Sequence, residues 1–273
     1  MDLNDSVQFI KGVGPNRAKL LNLLGVNSVQ DLIDYYPRAY EDRTKVKKIE
    51  ELVDGEEALI EAVTVSGVSV FRLRRNMTIV KVLVQDDTGR CLITWFNQDY
   101  IKTKIHAKEK YRFYGKVTKK PGQIEMASPV FDKEGEQKNT GKIVPIYPTT
   151  KGLSETVIRQ AVENALNLLG DKIEEDLPEY ICEKFNLMDE KNAVKQIHFP
   201  EDMNELKRAR TRLVFEELLT FQLALLSLKN QYENEVRGIK YSKDVHMSDV
   251  INTLPFNLTK AQLRVLEEID NNM

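Results

Sequence analysis

The sequence predicts an α+β protein: a short helical start, a β-rich middle that closes into a small five-stranded barrel, and a helical remainder. Three observations carry this. Apolar residues recur at helical spacing over Ala18–Ile33, with Gly25 as a stop and Pro37 as a breaker. Between Ala58 and Phe131 the period changes to two, and turn residues punctuate the run. From Ser154 onward helical spacing returns and includes one long stretch at about 202–235. With 273 residues, 30% charged and 41% hydrophobic, the chain has the composition of a soluble protein of two or three compact units. No run of about 18 apolar residues is present to span a bilayer. Cys91 and Cys182 lie far apart, so no disulfide framework is expected and a cytoplasmic location fits. His106, His198 and His246 are isolated from one another and from the cysteines, and each reads as a surface or packing residue rather than a metal ligand.

At the N-terminus, Lys11-Gly12-Val13-Gly14-Pro15 raises the question of what a glycine pair holds. A dinucleotide fingerprint needs a strand before it and a third glycine where Arg17 stands, so that reading fails. A helix-hairpin-helix (HhH) turn fits better. Gly12 and Gly14 allow the tight turn, and Pro15 begins a helix where no N–H is needed. Free amides at the helix start, with Arg17 and Lys19 on the next turn, can hold a DNA phosphate without reading a base. A helical hairpin that packs without DNA is the competing reading.

In the β-rich middle, Leu59–Val70 is rich in branched residues, and Val80, Val82 and Val84 alternate with Lys81 and Leu83. Asp87-Thr88-Gly89 turns the chain into Cys91–Phe96, and Lys119-Lys120-Pro121-Gly122 makes a second hairpin between Tyr111–Thr118 and Gln123–Ala127. Ile101–His106 reads as helical, or at least not extended. Three strands, a short helix and two strands is the order of an oligonucleotide-binding (OB) barrel, with small SH3-like barrels as the alternative. On the strand through Cys91–Phe96, Ile93 and Trp95 form a plausible inward set, which leaves Thr94 and Phe96 outward together with Leu92.

This middle is also where positive charge gathers. Between Phe71 and Lys120 there are thirteen basic and four acidic residues, an excess of +9 in a chain of net charge −2. Such an excess is the footprint of a polyanion-binding surface, with a solubilising face as the alternative. Arg72, Arg74, Arg75, Lys102, Lys104, Lys116, Lys119 and Lys120 are its candidate contacts.

Asp132–Lys142 is polar and reads as an exposed loop. Ser154 then caps a helix whose Val157, Ile158, Ala161, Val162, Ala165, Leu166 and Leu169 share one face, closed by Gly170. Asp189-Glu190 reads as a helix-start pair. The long helix carries Leu213, Phe215, Leu218, Leu219 and Leu226 on a broad apolar side.

Several phrases, taken in order, resemble the RecG family of bacterial ATP-dependent DNA helicases. They are GVGPNRAKLLNLLGV, YYPRAYEDRT, QDDTGRCLITWFNQDYI, VPIYPTTKGLS, IHFPED, RARTRLVFEELLTFQLAL and FNLTKAQLRVLEEI. Singly each is weak; their order and spacing are specific. The resemblance implies that the barrel is a wedge domain that splits a DNA branch point, and that Phe96 and Tyr100 are its base-stacking pair. It implies four segments: an HhH-like helical start at 1–48, an OB-fold wedge at 49–142, a helical linker at 143–250, and the beginning of a motor domain at 251–273. Gln262, in LTKAQ, corresponds to the family's adenine-reading glutamine.

Of the motor itself, the P-loop pattern G-x-x-x-x-G-K-[ST] is missing. Gly115-Lys116 and Gly141-Lys142 lack both the upstream glycine and the following Ser or Thr. The expectation is therefore a chain with no catalytic residue, no metal site and no cofactor of its own, ATP and Mg²⁺ being implied for the full-length family enzyme. Its expected partners are branched DNA and a C-terminal motor domain, with no membrane, and it is expected to be a monomer. In the family the activity is fork regression and branch migration in DNA recombination and repair. A stand-alone HhH/OB junction or single-strand binder, and a protein-interaction scaffold built on the long helix, are the competing readings.

Overall fold

Alternating Val80, Val82 and Val84 and the inward pair Ile93 and Trp95 demand one buried sheet face, and the computed structural model supplies it. The structure describes residues 2–73, 77–235 and 247–272. The chain divides into two units, residues 1–215 and 216–273.

In the first unit a 3-10 turn (Val7–Phe9) precedes α1 (Gly14–Asn22) and α2 (Val29–Ile33). Ser28 begins α2 through a reciprocal cap. Its hydroxyl accepts from the Asp31 amide at 3.0 Å, and the Asp31 carboxylate accepts from the Ser28 and Asn27 amides at 2.9 Å each. Those backbone bonds hold the Asp31 carboxyl below its usual range. Two short strands follow, β1 (Ala39–Asp42) and β2 (Val46–Lys47). Next come β3 (Glu57–Thr64), β4 (Ser69–Leu73), β5 (Met77–Gln85), β6 (Arg90–Phe96), β7 (Lys110–Lys120), β8 (Gln123–Ala127) and β9 (Val130–Lys133). Strand β10 (Ile143–Ile146) leads to α3 (Glu155–Leu169), α4 (Glu179–Phe185), α5 (Glu190–His198) and the start of α6 (Met203–Glu235).

The main sheet holds eight strands, β2 to β9, where the sequence reading separated five. Pairing runs from β3 to β5, β6, β8 and β7, and β7 pairs back with β3 over seven positions, from Glu57↔Lys116 to Val63↔Lys110. Strand β4 adds to β5, β9 to β7, and β2 to β3. The interior of this ring is filled by Ile60, Ala62, Val80, Val82, Val84, Ile93 and Val117 around Trp95, Tyr111 and Phe113. Trp95, Tyr111 and Phe113 cluster with Phe131 at centroid separations of 5.8–6.2 Å, and the Trp95 indole N–H donates to the Pro129 carbonyl at 3.0 Å. Cys91 is buried in the same core, which pushes its thiol up to about 12. The chain passes Pro129 so closely at Gly115 that an added Cβ would stand 3.0 Å from the proline ring, a contact that would press Pro129 aside by a few tenths of an ångström.

A second core joins the first helices to the chain that follows the sheet. Val7, Ile10, Leu21, Val29 and Leu32 pack with Tyr147, Ile158, Val162, Ala165, Leu169 and Val194. The stretches that the sequence reading treated as separate, 1–48 and 143–250, thus both contribute to it. They are also joined by β1 and β10, which pair antiparallel from Ala39↔Ile146 to Asp42↔Ile143. Beyond that ladder, Arg43 continues the connection. Its Nη1 donates to the Asn139 carbonyl at 2.9 Å, its Nε to Glu41 at 2.8 Å, and the guanidinium lies 4.7 Å from the centroid of the Tyr114 ring. At the centre of the helical region His198 is fully buried. Its Nε2–H donates to the Ile33 carbonyl at 2.6 Å, which leaves Nδ1 to accept from the Tyr147 hydroxyl at 2.7 Å. Burial holds its pKa down at about 4.

Three local expectations are corrected. Ser154 stands at the N-cap of α3 but its side chain makes no capping bond, and Gly170 ends the helix with an ordinary right-handed φ of −59°. The helix is instead fixed by burial of Ile158, Ala161, Val162, Ala165 and Leu169. The polar stretch from Asp132 to Lys142 is not simply exposed. Strand β9 reaches Lys133, and buried Asp132 accepts from the Asn139 and Thr140 amides and from both of their side chains at 2.7–2.9 Å, which draws Thr140 inside. The helical turn expected at Ile101–His106 is a 3-10 turn at Asp99–Thr103, set by burial of Ile101 and Ile105. By contrast Asp189 does start α5, accepting from the Asn192 amide at 3.0 Å.

The second unit, described by itself, comprises the later part of α6 with α7 (Met247–Asn252) and α8 (Lys260–Asn272). The apolar side expected on the long helix is present but open: Leu218, Phe221, Leu225, Leu226 and Leu228 are all exposed. No helix among the described residues is long and apolar enough to cross a membrane.

His198 supplies a test by pH. Its folded pKa lies below the unfolded value of about 6.5, so the unfolded chain binds the extra proton between those values. The stability gained from neutral His198 is therefore complete above pH 6.5 and lost as pH falls towards 4, by up to about 3 kcal/mol. Urea unfolding at pH 4.5 and 7 should show this loss in the parent chain, and His198→Asn should flatten it. An unchanged pH dependence in the variant would assign the effect to other groups.

Candidate nucleic-acid interface

Strand alternation decides what the far end of β6 presents. Ile93 and Trp95 are buried in the sheet core, so Thr94 and Phe96 face outward, as the sequence reading expected. Phe96 is 44% exposed. Thr94 is covered, because its hydroxyl donates to the Glu125 carboxylate at 2.7 Å.

Asn97 then turns the chain. It adopts a left-handed conformation at φ 54°, its amide donates to the Thr78 carbonyl at 2.8 Å, and its side-chain oxygen accepts from the Thr78 amide at 3.0 Å. Sequence reasoning missed this pivot, although an Asn directly after a strand is the available signal. The turn leads into Asp99–Thr103, which carries Tyr100 at 54% exposure. The Tyr100 hydroxyl donates to the Gln98 side-chain oxygen at 2.8 Å, and the Lys104 ammonium lies 5.3 Å from the ring centroid. Beside them a groove of about 550 Å³ runs between this turn and residues 128–139, lined by Lys104 and by Asp132, Glu136 and the ion-paired Lys133 and Lys138. Phe96, Tyr100, Lys102 and Lys104 are therefore brought together.

The remaining cations do not form one strip. The 86–89 turn, at the opposite end of β6 from Phe96, holds the segment 49–52: Asp86 accepts from the Ile49 amide and Thr88 from the Glu50 amide. The Lys119 ammonium donates to the Leu52 carbonyl of that segment at 2.8 Å. Lys119 and the neighbouring exposed Lys120 thus lie about 20 Å from Phe96, the length of a seven-residue strand. Lys116 is exposed on β7 directly opposite Glu57. Glu61 on β3 pairs with both Lys110, at 2.6 Å, and Arg112, at 2.9 Å. The excess counted along the sequence is therefore partly neutralised across strands by acids of β3. In contrast, β4, β5 and β6 carry Arg72, Lys81 and Arg90 and no Asp or Glu. Arg72 is exposed on β4, while Arg74 and Arg75 lie outside the described residues.

At the N-terminus, Gly12 and Gly14 have φ of +90° and +57°, and added Cβ atoms would meet nothing, so the requirement is conformational. Pro15 occupies the first turn of α1, as expected. The element before the hairpin is only a 3-10 turn, and Arg17 is folded back, its Nη1 donating to the Gly12 carbonyl at 2.6 Å. Lys19 is exposed on α1. Gln262 is engaged within α8: its side-chain oxygen accepts from the Thr259 amide at 2.8 Å and from the Thr259 hydroxyl at 3.0 Å, a Thr-x-x-Gln helix cap.

The family model of the RecG wedge domain matches residues 6–169. The ATP-dependent DNA helicase RecG of Thermotoga maritima is 36% identical over 278 residues, an alignment covering 100% of this chain and 35% of that protein. RecG of Bacillus subtilis is 32% identical, covering 98% of this chain and 39% of that protein. The solved structure of RecG bound to a three-way DNA junction superposes with a TM-score of 0.80 at 36% identity, covering 99% of this chain and 37% of that one. The chain thus spans between a third and two fifths of the length of these relatives.

The pivot at Asn97 is testable by unfolding. Asn97→Gly keeps the left-handed turn open, whereas Asn97→Val places a branched side chain at positive φ. The valine variant should be less stable than the glycine variant by about 1–2 kcal/mol in urea titrations. Equal stability would show that the turn is not held in this conformation.

Proposed function

The chain belongs to the RecG wedge family, and on that premise we propose that it is the branched-DNA-binding part of a RecG-like ATP-dependent DNA helicase. The observation that carries the reading is the pair of exposed rings, Phe96 and Tyr100, held at one end of the sheet beside Lys102 and Lys104. Aromatic faces of this kind stack on bases, at about 1–3 kcal/mol per base, and cations beside them attract the phosphates. The similarity to RecG bound to a three-way DNA junction supports branched DNA as the partner.

In this reading the ring β3–β5–β6–β8–β7 is a five-stranded OB-like barrel, with β2, β4 and β9 as additions at its edges. It serves as the wedge, within the proposed boundaries 49–142. Segment 1–48 supplies an HhH-like hairpin whose Gly12–Gly14 turn and Lys19 meet a phosphate, with Arg17 bracing the turn from within. Segment 143–250 is the linker, and 251–273 begins the motor. Fork regression and branch migration belong to the full-length enzyme.

The residues present do not make an ATP site. No P-loop pattern occurs in the sequence, and the Gln262 oxygen is committed to its own helix cap. This chain's contribution is to bind and part strands rather than to hydrolyse nucleotide.

The test is equilibrium binding to a three-way junction and to duplex of equal length. The parent chain should prefer the junction. Phe96→Ala with Tyr100→Ala should reduce that preference by ~10-fold or more while leaving duplex affinity nearly unchanged. Neutralising Lys102 and Lys104 should lower affinity and reduce the salt slope by about one per phosphate contact. Equal affinity of the parent for junction and duplex at moderate salt would refute the reading.

A further inference from the structure

The register of the sheet brings a third exposed ring into line with Phe96. Phe71 on β4 is directly opposite Ile79 on β5, and Ile79 is directly opposite Phe96 on β6. Residues paired in this way point to the same side of a sheet. Val80 and Trp95, one position along, are buried in the core, so Phe71, Ile79 and Phe96 lie on the outer face. Phe71 is 52% exposed, and among the described residues β4 pairs with β5 alone. Two strand spacings, about 10 Å, separate the Phe71 and Phe96 backbones.

The charge of this face matches a polyanion. By register Lys81 and Arg90 lie on it and Arg72 on the opposite side; the Glu125 carboxylate of β8, which accepts from Thr94, borders it, whereas the bases of β7 face Glu57 and Glu61 of β3. Lys81 shares the outer face with the aromatic row, two residues from Ile79. A row of two rings with an aliphatic side chain between them, on strands that carry only positive charge, has the chemistry of a track for unpaired bases.

We infer that Phe71 is a further DNA-contacting residue: an unpaired strand leaving the branch at Phe96 crosses the outer face of β6, β5 and β4 and stacks a base on Phe71. This rests on the assignment of Phe96 to a DNA branch point made above. It extends that assignment from a point contact to a path across three strands.

An exposed Phe could instead simply shield Ile79, and one substitution separates the two roles. Phe71→Leu keeps an apolar cover over Ile79 but removes the aromatic face; Phe71→Trp keeps both. The 273-residue chain and its variants are titrated with fluorescein-labelled oligo-dT of about 12 nucleotides, and with three-way junctions that carry or lack one unpaired arm. Phe71→Leu should bind oligo-dT and the junction with an unpaired arm ~5- to 100-fold more weakly, with little change for the fully paired junction. Phe71→Trp should restore binding, and its emission, taken as the difference from the parent's buried Trp95, should be quenched on adding unlabelled oligo-dT. Parental affinity in Phe71→Leu, alongside weakened binding in Phe96→Ala, would overturn the path and leave the branch-point assignment standing. Loss of affinity in Phe71→Leu for duplex and paired junction alike would also overturn it, because stacking on unpaired bases would not be the cause. If Phe96→Ala binds every DNA as the parent does, both assignments fall.

Discussion

Burial of Trp95 is the constraint from which the rest of the interface follows. The indole fills the centre of the ring with Tyr111, Phe113 and Phe131, and its N–H is satisfied by Pro129. A strand cannot direct two successive side chains inward, so Phe96 is turned to the outer side by its neighbour and, unlike covered Thr94, is left 44% exposed there. An exposed aromatic is costly to leave in water, and here its outward direction is a by-product of core packing. Pro129 braces the arrangement from a second side, since Gly115 lets β7 run tightly against it. The interior that gives the sheet its stability is therefore the same object that aims the rings.

Much of this was legible in the sequence because it depends on period and turn chemistry. The inward pair Ile93 and Trp95, the hairpins at 86–89 and 120–123, the helix start at Asp189 and the long helix from Met203 all follow from local pattern. What escaped depends on pairing between distant segments. A window counted along the chain sees Lys110, Arg112 and Lys116 but not Glu57 and Glu61, which β3 lays opposite them. The row through Phe71, Ile79 and Phe96 exists only once two registers are known. Ser154 shows the opposite failure. The residue type suited a cap, yet burial of the helix face sufficed and the hydroxyl stayed out of it.

The electrostatics have the same lesson at larger scale. Glu61 and Glu109 balance Lys110, Arg112 and Lys133 along β3, β7 and β9, so that side of the sheet is a lattice of ion pairs worth little individually. Among the described residues, Arg72, Lys81 and Arg90 on β4 to β6 have no ion pair within 4 Å, and Arg72 and Arg90 are exposed. Sorting charges by strand, rather than by sequence window, divides one apparent basic strip into a neutralised side and an available one. Lys119, spent on the Leu52 carbonyl, belongs to the architecture of the sheet, whereas Lys104 lies over the Tyr100 ring at the interface.

The antiparallel ladder of β1 and β10 has a consequence of its own. The polypeptide departs from the helical body at Asp42 and rejoins it at Ile143, directly opposite, only one strand spacing away. Topologically the whole sheet is a cassette spliced into a helical host through a single doorway. A brief turn across that doorway could replace the hundred or so intervening residues without stretching either side, since both edges of the gap are already hydrogen-bonded to each other. Among the described residues, the host core built around Tyr147 and His198 draws none from the cassette, so architecture of this kind allows one part to be exchanged while the other is kept.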